Sequence, residues 1–408
     1  MRIGYSAWGF CGEGVVDSPD GGRLTRSLFI SSLIQQGHEV TWLQMNRDLD
    51  SSGSPIFSLE NRTRCGGQES ILCDMKYDEG FPEIDILFLE WRWPIPGRNC
   101  LNDPSKWDHY SAKTMAKFPI LTDKSDPNFT PDLDRQTELL SNYMNSNRAR
   151  RPMIVIWDKD ETMTYEDENK LSYHKSDVSR TPVMILSPAL HPVSNLFPRQ
   201  TLLFPCDLNE IRGAQVNDKI EHLIGYVGSQ YERDHQVYQY IVPFNCDFFA
   251  NRHDFMNGHS ITHPTIFAGN WTKTPDKLKR NMFNFPGILF KDRILPMQMG
   301  FIYGKCLSTL LMCKSNYSAH GHITQRIHEV PAHGVIALGL REQVGIESFI
   351  IEDNIISDAF DLKKRILELL KMNLSERQSI LDQQIEMLKP FDIEEVMKRF
   401  EWVVLGSM

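Results

Sequence analysis

The chain has 408 residues, 41% hydrophobic and 24% charged, with a formal net charge of −9. That is apolar material for two ordinary cores, so two domains of about 200 residues are expected, and the acidic balance argues against a protein that coats nucleic acid by charge alone. No apolar run approaches the ~18 residues of a membrane span, Met1 leads straight into a strand with no export signal, and eight scattered cysteines include no C-x-x-C pair, which together point to reduced thiols in the cytoplasm and against a structural zinc.

Residues 2–7 read as a short apolar strand, followed by a glycine-rich loop with Gly9, Gly12, Gly14, Gly21 and Gly22. Residues 24–36 carry Leu28, Phe29, Leu33 and Ile34 at core spacing and stop at Gly37, which predicts a helix. Residues 39–44 form the second strand. Strand, glycine loop, helix, strand is a βαβ start. The glycines do not fit the G-x-G-x-x-G spacing, and Glu39 opens the second strand instead of closing it, so a loop that closes over a ligand fits better than an NAD site.

Residues 48–80 are polar and read as an excursion outside the sheet. Residues 84–89 form a third strand that runs into Trp91, Arg92 and Trp93. Those three stand at a strand's C-terminal end, where ligands bind in open α/β sheets, and suit stacking on a base or sugar as well as rim packing. A helix is predicted at 131–144. A strongly apolar strand at 152–157 ends in Asp158-Lys159-Asp160-Glu161. Carboxylates just past a central parallel strand suit a general base, because one held in a dry cleft has a raised pKa and can take a proton from a hydroxyl. They also suit N-caps of the next helix. Strands follow at 183–186 and 201–204, and 207–217 is the candidate linker.

The alternation starts afresh at 222–229, a strand ending in the small-residue turn Gly228-Ser229, followed by Arg233 and a helix carrying Val237, Tyr240 and Ile241. Residues 245–250, 287–290 and 307–313 continue it, with a last strand near Phe349. The cationic stretches 148–151 and 273–280, the second flanked by Trp271 and Phe283, read as solvated faces. In 321–339, Thr324 is a plausible N-cap, Gly334 a helix stop and 335–338 the strand that follows. Pro331 predicts a kink or early end. Arg326 and Glu329 fall three apart and share a face near the helix start. Arg is a forked phosphate donor, the helix dipole favours an anion there, and Glu offers two acceptor oxygens for the vicinal hydroxyls of a ribose. The same spacing fits an exposed ion pair. Amphipathic helix is expected within 362–388, and a final helix at 393–404.

Two Rossmann-like halves, a glycine loop after the first strand, Gly228-Ser229 and an R-x-x-E helix resemble GT-B glycosyltransferases. Within that group they resemble the T-even bacteriophage DNA β-glucosyltransferases, which glucosylate hydroxymethylcytosine in phage DNA. The resemblance is carried by Gly225-Tyr-Val-Gly-Ser229, by 286–305 with Leu295-Pro-Met-Gln-Met299, and by 310–335 with His322-Ile-Thr-Gln-Arg-Ile-His-Glu329. It implies an α/β fold with two Rossmann-like domains facing each other across a cleft. Residues 1–212 would be the acceptor-binding domain, 213–390 the nucleotide-sugar-binding domain, and 391–408 a C-terminal helix packing back on the first.

The resemblance further implies a UDP-sugar donor, with Arg326 on its diphosphate, Glu329 on its ribose, and Gly228 and Ser229 letting it approach the backbone. Arg233, Gly21 and Gly22 would complete the donor site, and Trp91, Arg92 and Trp93 would meet the acceptor. Asp160 would be the general base of a direct, inverting displacement, with Asp158 the competing assignment. A divalent metal is allowed but not required. Two arginines of the family's Gly-Ser turn are replaced here by Tyr231 and His235, and its acidic sugar contact is not reproduced, so glucose is the default sugar and arabinose its rival. The implied acceptor is a hydroxylated pyrimidine in double-stranded DNA, in a host-cell cytoplasm, whose base must leave the stack. Two other readings stay open: a GT-B enzyme with a small-molecule, glycan or lipid-linked acceptor, and a non-catalytic binding module of the same fold.

Overall fold

Strands such as Ile86–Trp91 (ILFLEW) and Met153–Asp158 (MIVIWD) are buried along their whole length. Continuous apolar runs of this kind belong to parallel strands covered on both faces. The computed structural model describes residues 1–7, 22–43, 76–78, 80–91, 139, 140, 142–144, 151–161, 163–173, 182–230, 232–256, 260–269, 271, 287–292, 294, 298–404 and 406. It divides into two units, one of Met1–Pro188, Pro192–Leu202 and Met397–Met408, the other of Ala189–His191 and Leu203–Val396.

Among the described residues, the first unit holds a seven-stranded sheet in the order β3-β2-β1-β4-β5-β6-β7. Its strands are β1 Arg2–Ala7, β2 Glu39–Leu43, β3 Lys76–Asp78, β4 Ile86–Trp91, β5 Met153–Asp158, β6 Val183–Ser187 and β7 Arg199–Thr201. Every neighbouring pair is parallel. The chain leaves β1 toward β3 and returns on the other side at β4, so the order reverses between β1 and β4. The second unit repeats the scheme, among the described residues, in six parallel strands, β10-β9-β8-β11-β12-β13. These are β8 His222–Val227, β9 Thr265–Ala268, β10 Ile288–Lys291, β11 Cys306–Leu310, β12 Ile336–Leu340 and β13 Ile355–Ile356. Here the reversal lies between β8 and β11. Ligands of open α/β sheets bind beyond the strand ends at such a reversal.

Alternation along β12 shows the two covered faces directly. Ile336, Leu338 and Leu340 enter one core with Tyr226, Phe267 and Leu362, whereas Val335 and Ala337 enter the other with Ile266, Ile327 and Leu381. Gly37 (φ 82) stops the first helix, Gly22–Gln35. Asp358 caps Ala359–Lys371, a capping box of Asn373 and Glu376 starts Leu374–Met387, and the last helix is Ile393–Val404. Among the described residues, no helix is long and apolar enough to cross a membrane.

Several expectations are corrected. Residues 245–250 are helix, because Asp234–Gln236, a π-turn at Val237–Ile241 and Val242–Ala250 run on without a break after β8. Pro243 in that run lacks an N–H and crowds the carbonyl four residues back, and the wider π-turn relieves both. The end of the polar excursion returns to the sheet as β3, paired with β2. Phe349 follows a short 3-10 turn, and the last strand comes later, at β13. The stretch read as a linker contains a helical turn, Leu208–Ile211, capped by Asp207. The division between units falls before it, at Leu202, and again within the last helix.

Candidate functional site

At the reversal point of the second sheet, β8 ends at Val227 and the chain turns through Gly228 and Ser229. Gly228 has φ 155, and a Cβ there would lie 2.4 Å from Nη2 of Arg326. Gly269 (φ 144) approaches even more closely, since its Cβ would meet the Gly228 carbonyl oxygen at 2.1 Å. Only glycine fits either place.

Three side chains donate to three successive carbonyls of this turn. Arg326 Nε donates to Val227 O at 2.9 Å, the Trp271 indole N–H to Gly228 O at 2.7 Å, and Arg233 Nη1 to Ser229 O at 3.0 Å. Arg233 Nε also reaches Met312 O at 3.3 Å, just past β11, and Arg233 is 5% exposed. Expected as a donor ligand, Arg233 is instead turned onto the backbone.

Arg326 opens the helix Arg326–Ala332. Ile327 and Val330 of that helix enter the core while Arg326 and Glu329 stay half-buried on its other face, as the 3.6-residue period requires. Pro331 sits inside the helix, which ends one residue later, and Gly334 (φ 73) turns the chain into β12. The N-cap is Gln325, whose side chain makes no capping bond to the helix, and not Thr324. Thr324 Oγ1 instead accepts from Arg326 Nη1 at 3.4 Å. The guanidinium lies over the Tyr226 ring, 4.8 Å from its centroid. Among the described residues Arg326 makes no ion pair and Nη2 donates no hydrogen bond, so a forked face of this cation remains for a ligand. Burial pushes the Glu329 carboxyl up to about 6, against the opposing pull of Arg326. Tyr231 lies outside the described residues, and the exposed His235 ring sits 3.1 Å from the Glu232 carbonyl oxygen. On the far side of the turn, Gln236 accepts from Cys313 N at 2.9 Å and donates to Glu342.

At the matching edge of the first sheet, Glu90 ends the carboxylate side of a buried cluster. Arg26 grips it with Nε at 2.9 Å and Nη2 at 2.7 Å, Lys159 Nζ stands at 3.0 Å, and the Tyr5 hydroxyl donates to it. Burial alone would raise its pKa, but Arg26 and Lys159 outweigh that and hold it at about 2. The sequence pattern does not by itself reveal this cluster. The available signal was Arg26, which precedes Phe29 by three and Leu33 by seven, on the face that turns inward.

Asp158 closes β5 with no exposure, accepting from Arg199 Nη1 at 3.2 Å and from Met163 N at 3.0 Å. Arg199 also donates to Glu168 at 2.8 Å. Asp160 follows in the turn, half-buried. Glu161 takes the left-handed φ of 49 and accepts from Ser187 Oγ at 3.2 Å. Trp91, expected to meet the acceptor, is 6% exposed and packs with Leu87, Leu89 and Ile156 in the core. Its indole N–H meets no acceptor among the described residues. Gly22 is the first residue of its helix, and Gly21, Arg92 and Trp93 lie outside the described residues.

No protein-family model and no curated protein sequence matches this chain. Solved structures do. A mutant of T4 phage β-glucosyltransferase bound to UDP-glucose superposes with a TM-score of 0.57 over 98% of this chain and 99% of its own, at 13% identity. The fold is GT-B. Other structures with this fold include Anabaena HepE in complex with UDP and glucose, 9% identical, with a TM-score of 0.51 over 100% of both chains. An O-GlcNAc transferase of Thermobaculum terrenum is 10% identical, with a TM-score of 0.51 over 98% of this chain and 66% of its own. The GT-B likeness read from the sequence is thus present in the structure, in both sheets.

Proposed function

We propose that this chain is a glycosyltransferase that moves a sugar from a UDP-sugar to the hydroxyl of a modified pyrimidine, of the 5-hydroxymethylcytosine type, in phage DNA. The observation that carries the reading is Arg326. It is a half-buried cation at a sheet reversal point, braced by a carbonyl, a hydroxyl and a ring, with Nη2 unbonded among the described residues and Glu329 one turn along the same helix. A diphosphate takes the guanidinium and the ribose hydroxyls take the carboxylate. The structures of like fold bound to UDP-glucose, and to UDP with Mn2+, support the choice of nucleotide.

Asp160 serves as general base. Its carboxylate takes the acceptor's proton as the acceptor oxygen bonds to the anomeric carbon. The bond from that carbon to the diphosphate breaks with its electron pair leaving on UDP, which inverts the configuration. Asp158 is the less favoured base, because its carboxylate is enclosed and already held by Arg199 and Met163 N. Glucose is the sugar expected first, arabinose second.

Mass spectrometry of hydroxymethylated duplex DNA incubated with the protein and a panel of nucleotide sugars tests the whole reading. A mass gain of one hexose or pentose is expected with a uridine donor, falling steeply as salt rises. Donor turnover without DNA modification would instead favour a small-molecule, glycan or lipid-linked acceptor, a reading that the net charge of −9 supports.

A further inference from the structure

The three carbonyls of the Gly228 turn are each occupied by a buried or half-buried donor from a different part of the second unit. Arg326 comes from the helix after β11, Trp271 from the loop after β9, and Arg233 from the end of the turn itself. Trp271 is 1% exposed, and its ring is fixed edge-on to Tyr226 at 5.8 Å and against Phe267 at 4.6 Å. Gly228 N donates to Ala268 O, yet the next two N–H groups, of Ser229 and Gln230, find no acceptor among the described residues. Carbonyls drawn one way leave the neighbouring amides presented the other way, and successive free N–H groups form an anion-binding concavity.

We propose that Trp271 and Arg233 are positioning residues for the donor diphosphate: by holding the Gly228 and Ser229 carbonyls they aim the Ser229 and Gln230 N–H groups at phosphate oxygens beside Arg326. This rests on the donor-site reading given above. It assigns Arg233 a role through the backbone, and it gives a buried tryptophan that touches no substrate an effect on substrate affinity. Gly269 belongs to the same device, since any side chain there would push the Gly228 carbonyl off the indole.

The test is calorimetric titration of the full-length protein with UDP. Trp271→Phe keeps a ring between Tyr226 and Phe267 but removes the N–H together with part of the indole; Arg233→Met removes both donors to carbonyl oxygen without that loss of ring, and Arg233→Lys restores one. Expected are losses of about tenfold in UDP affinity for Trp271→Phe and Arg233→Met. Most of the affinity should return in Arg233→Lys, with thermal midpoints close to that of the unmodified chain. Rescue by lysine is the result that a merely structural role would not give. If Trp271→Phe does not fold, the Arg233 pair decides alone. UDP affinity unchanged in Trp271→Phe and Arg233→Met removes the clamp and leaves the donor site standing. Absence of UDP binding by the unmodified chain removes the donor site, and the clamp with it.

Discussion

At the C-terminal edge of the first sheet, Glu90 is met by Arg26 and Lys159, and Asp158 by Arg199, all within the same buried unit. At the same edge of the second sheet, Arg326 is met by a carbonyl, a hydroxyl and an aromatic face. Both edges carry conspicuous charges past parallel strands, and residue type alone does not separate them. What separates them is the chemistry of the partner. A carboxylate neutralises a buried cation and turns the pair into part of the core, whereas neutral oxygens fix its direction and leave its charge to act on something else. Removing a charge should therefore cost stability at the first edge and affinity at the second.

The largest expected effect probes the one acidic residue at the first edge assigned to chemistry. Asp160→Asn should lower turnover by about 10²–10⁴-fold while UDP affinity and thermal midpoint stay put, measured by steady-state kinetics beside calorimetry. Should Asp158→Asn, with stability intact, show that loss instead, the two aspartates exchange roles and the comparison breaks at Asp158. Next is Arg199→Ala, which strands Asp158 and Glu168 in the core and should cost ~3–5 kcal/mol in urea unfolding with little direct effect on UDP. Arg326→Ala should do the reverse, weakening UDP by about tenfold to a hundredfold with little change in unfolding.

Glu329 gives a smaller, pH-dependent effect. Its carboxyl is raised from 4.5 to about 6 in the folded chain, so folding holds a proton that the unfolded chain has released. That contribution is complete below pH 4.5 and fades as pH rises through about 6, a change of about 1–2 kcal/mol for a half-buried group. Glu329→Gln should flatten stability across that window, and UDP affinity should climb with pH in the unmodified chain as the carboxylate becomes available to the ribose. The smallest effect belongs to Arg341→Ala. Its ion pair with Glu352 at 2.6 Å is exposed on both sides, and no shift of the unfolding midpoint is expected, which would confirm that enclosure, not pairing, sets the first edge apart.

Continuous apolar runs made β4, β5 and β8 readable in the sequence, and Gly37 and Gly334 marked helix ends by their need for positive φ. The last helix has the very limits, Ile393 and Val404, that its pattern indicated. Arg326 and Glu329 were legible because their relation is local, three positions on one helix. The Arg26–Glu90–Lys159 cluster was not, since it depends on the first helix, β4 and the turn after β5 coming together across 133 positions, from Arg26 to Lys159. Trp271 reads in the sequence only as the flank of a cationic stretch, because a bond from an indole to a carbonyl carries no trace in the choice of residue at the carbonyl. Trp91 misled for a related reason: a tryptophan at a strand end is the same letter whether it faces a ligand or the core.

The π-turn at Val237–Ile241 has a consequence for how this helix tolerates change. It holds one residue more than an α-turn would, and each residue swings a helix by about 100°. Deleting any one of the five would turn the wide turn into an ordinary α-turn and leave the flanks in register, so Gln236 would keep Cys313 and Glu342. An insertion or deletion anywhere else on the rod has no such compensating slack. This single surplus position is where an alignment with a straight-helixed relative opens its gap, and where shortening by one leaves the two ends of the helix coupled.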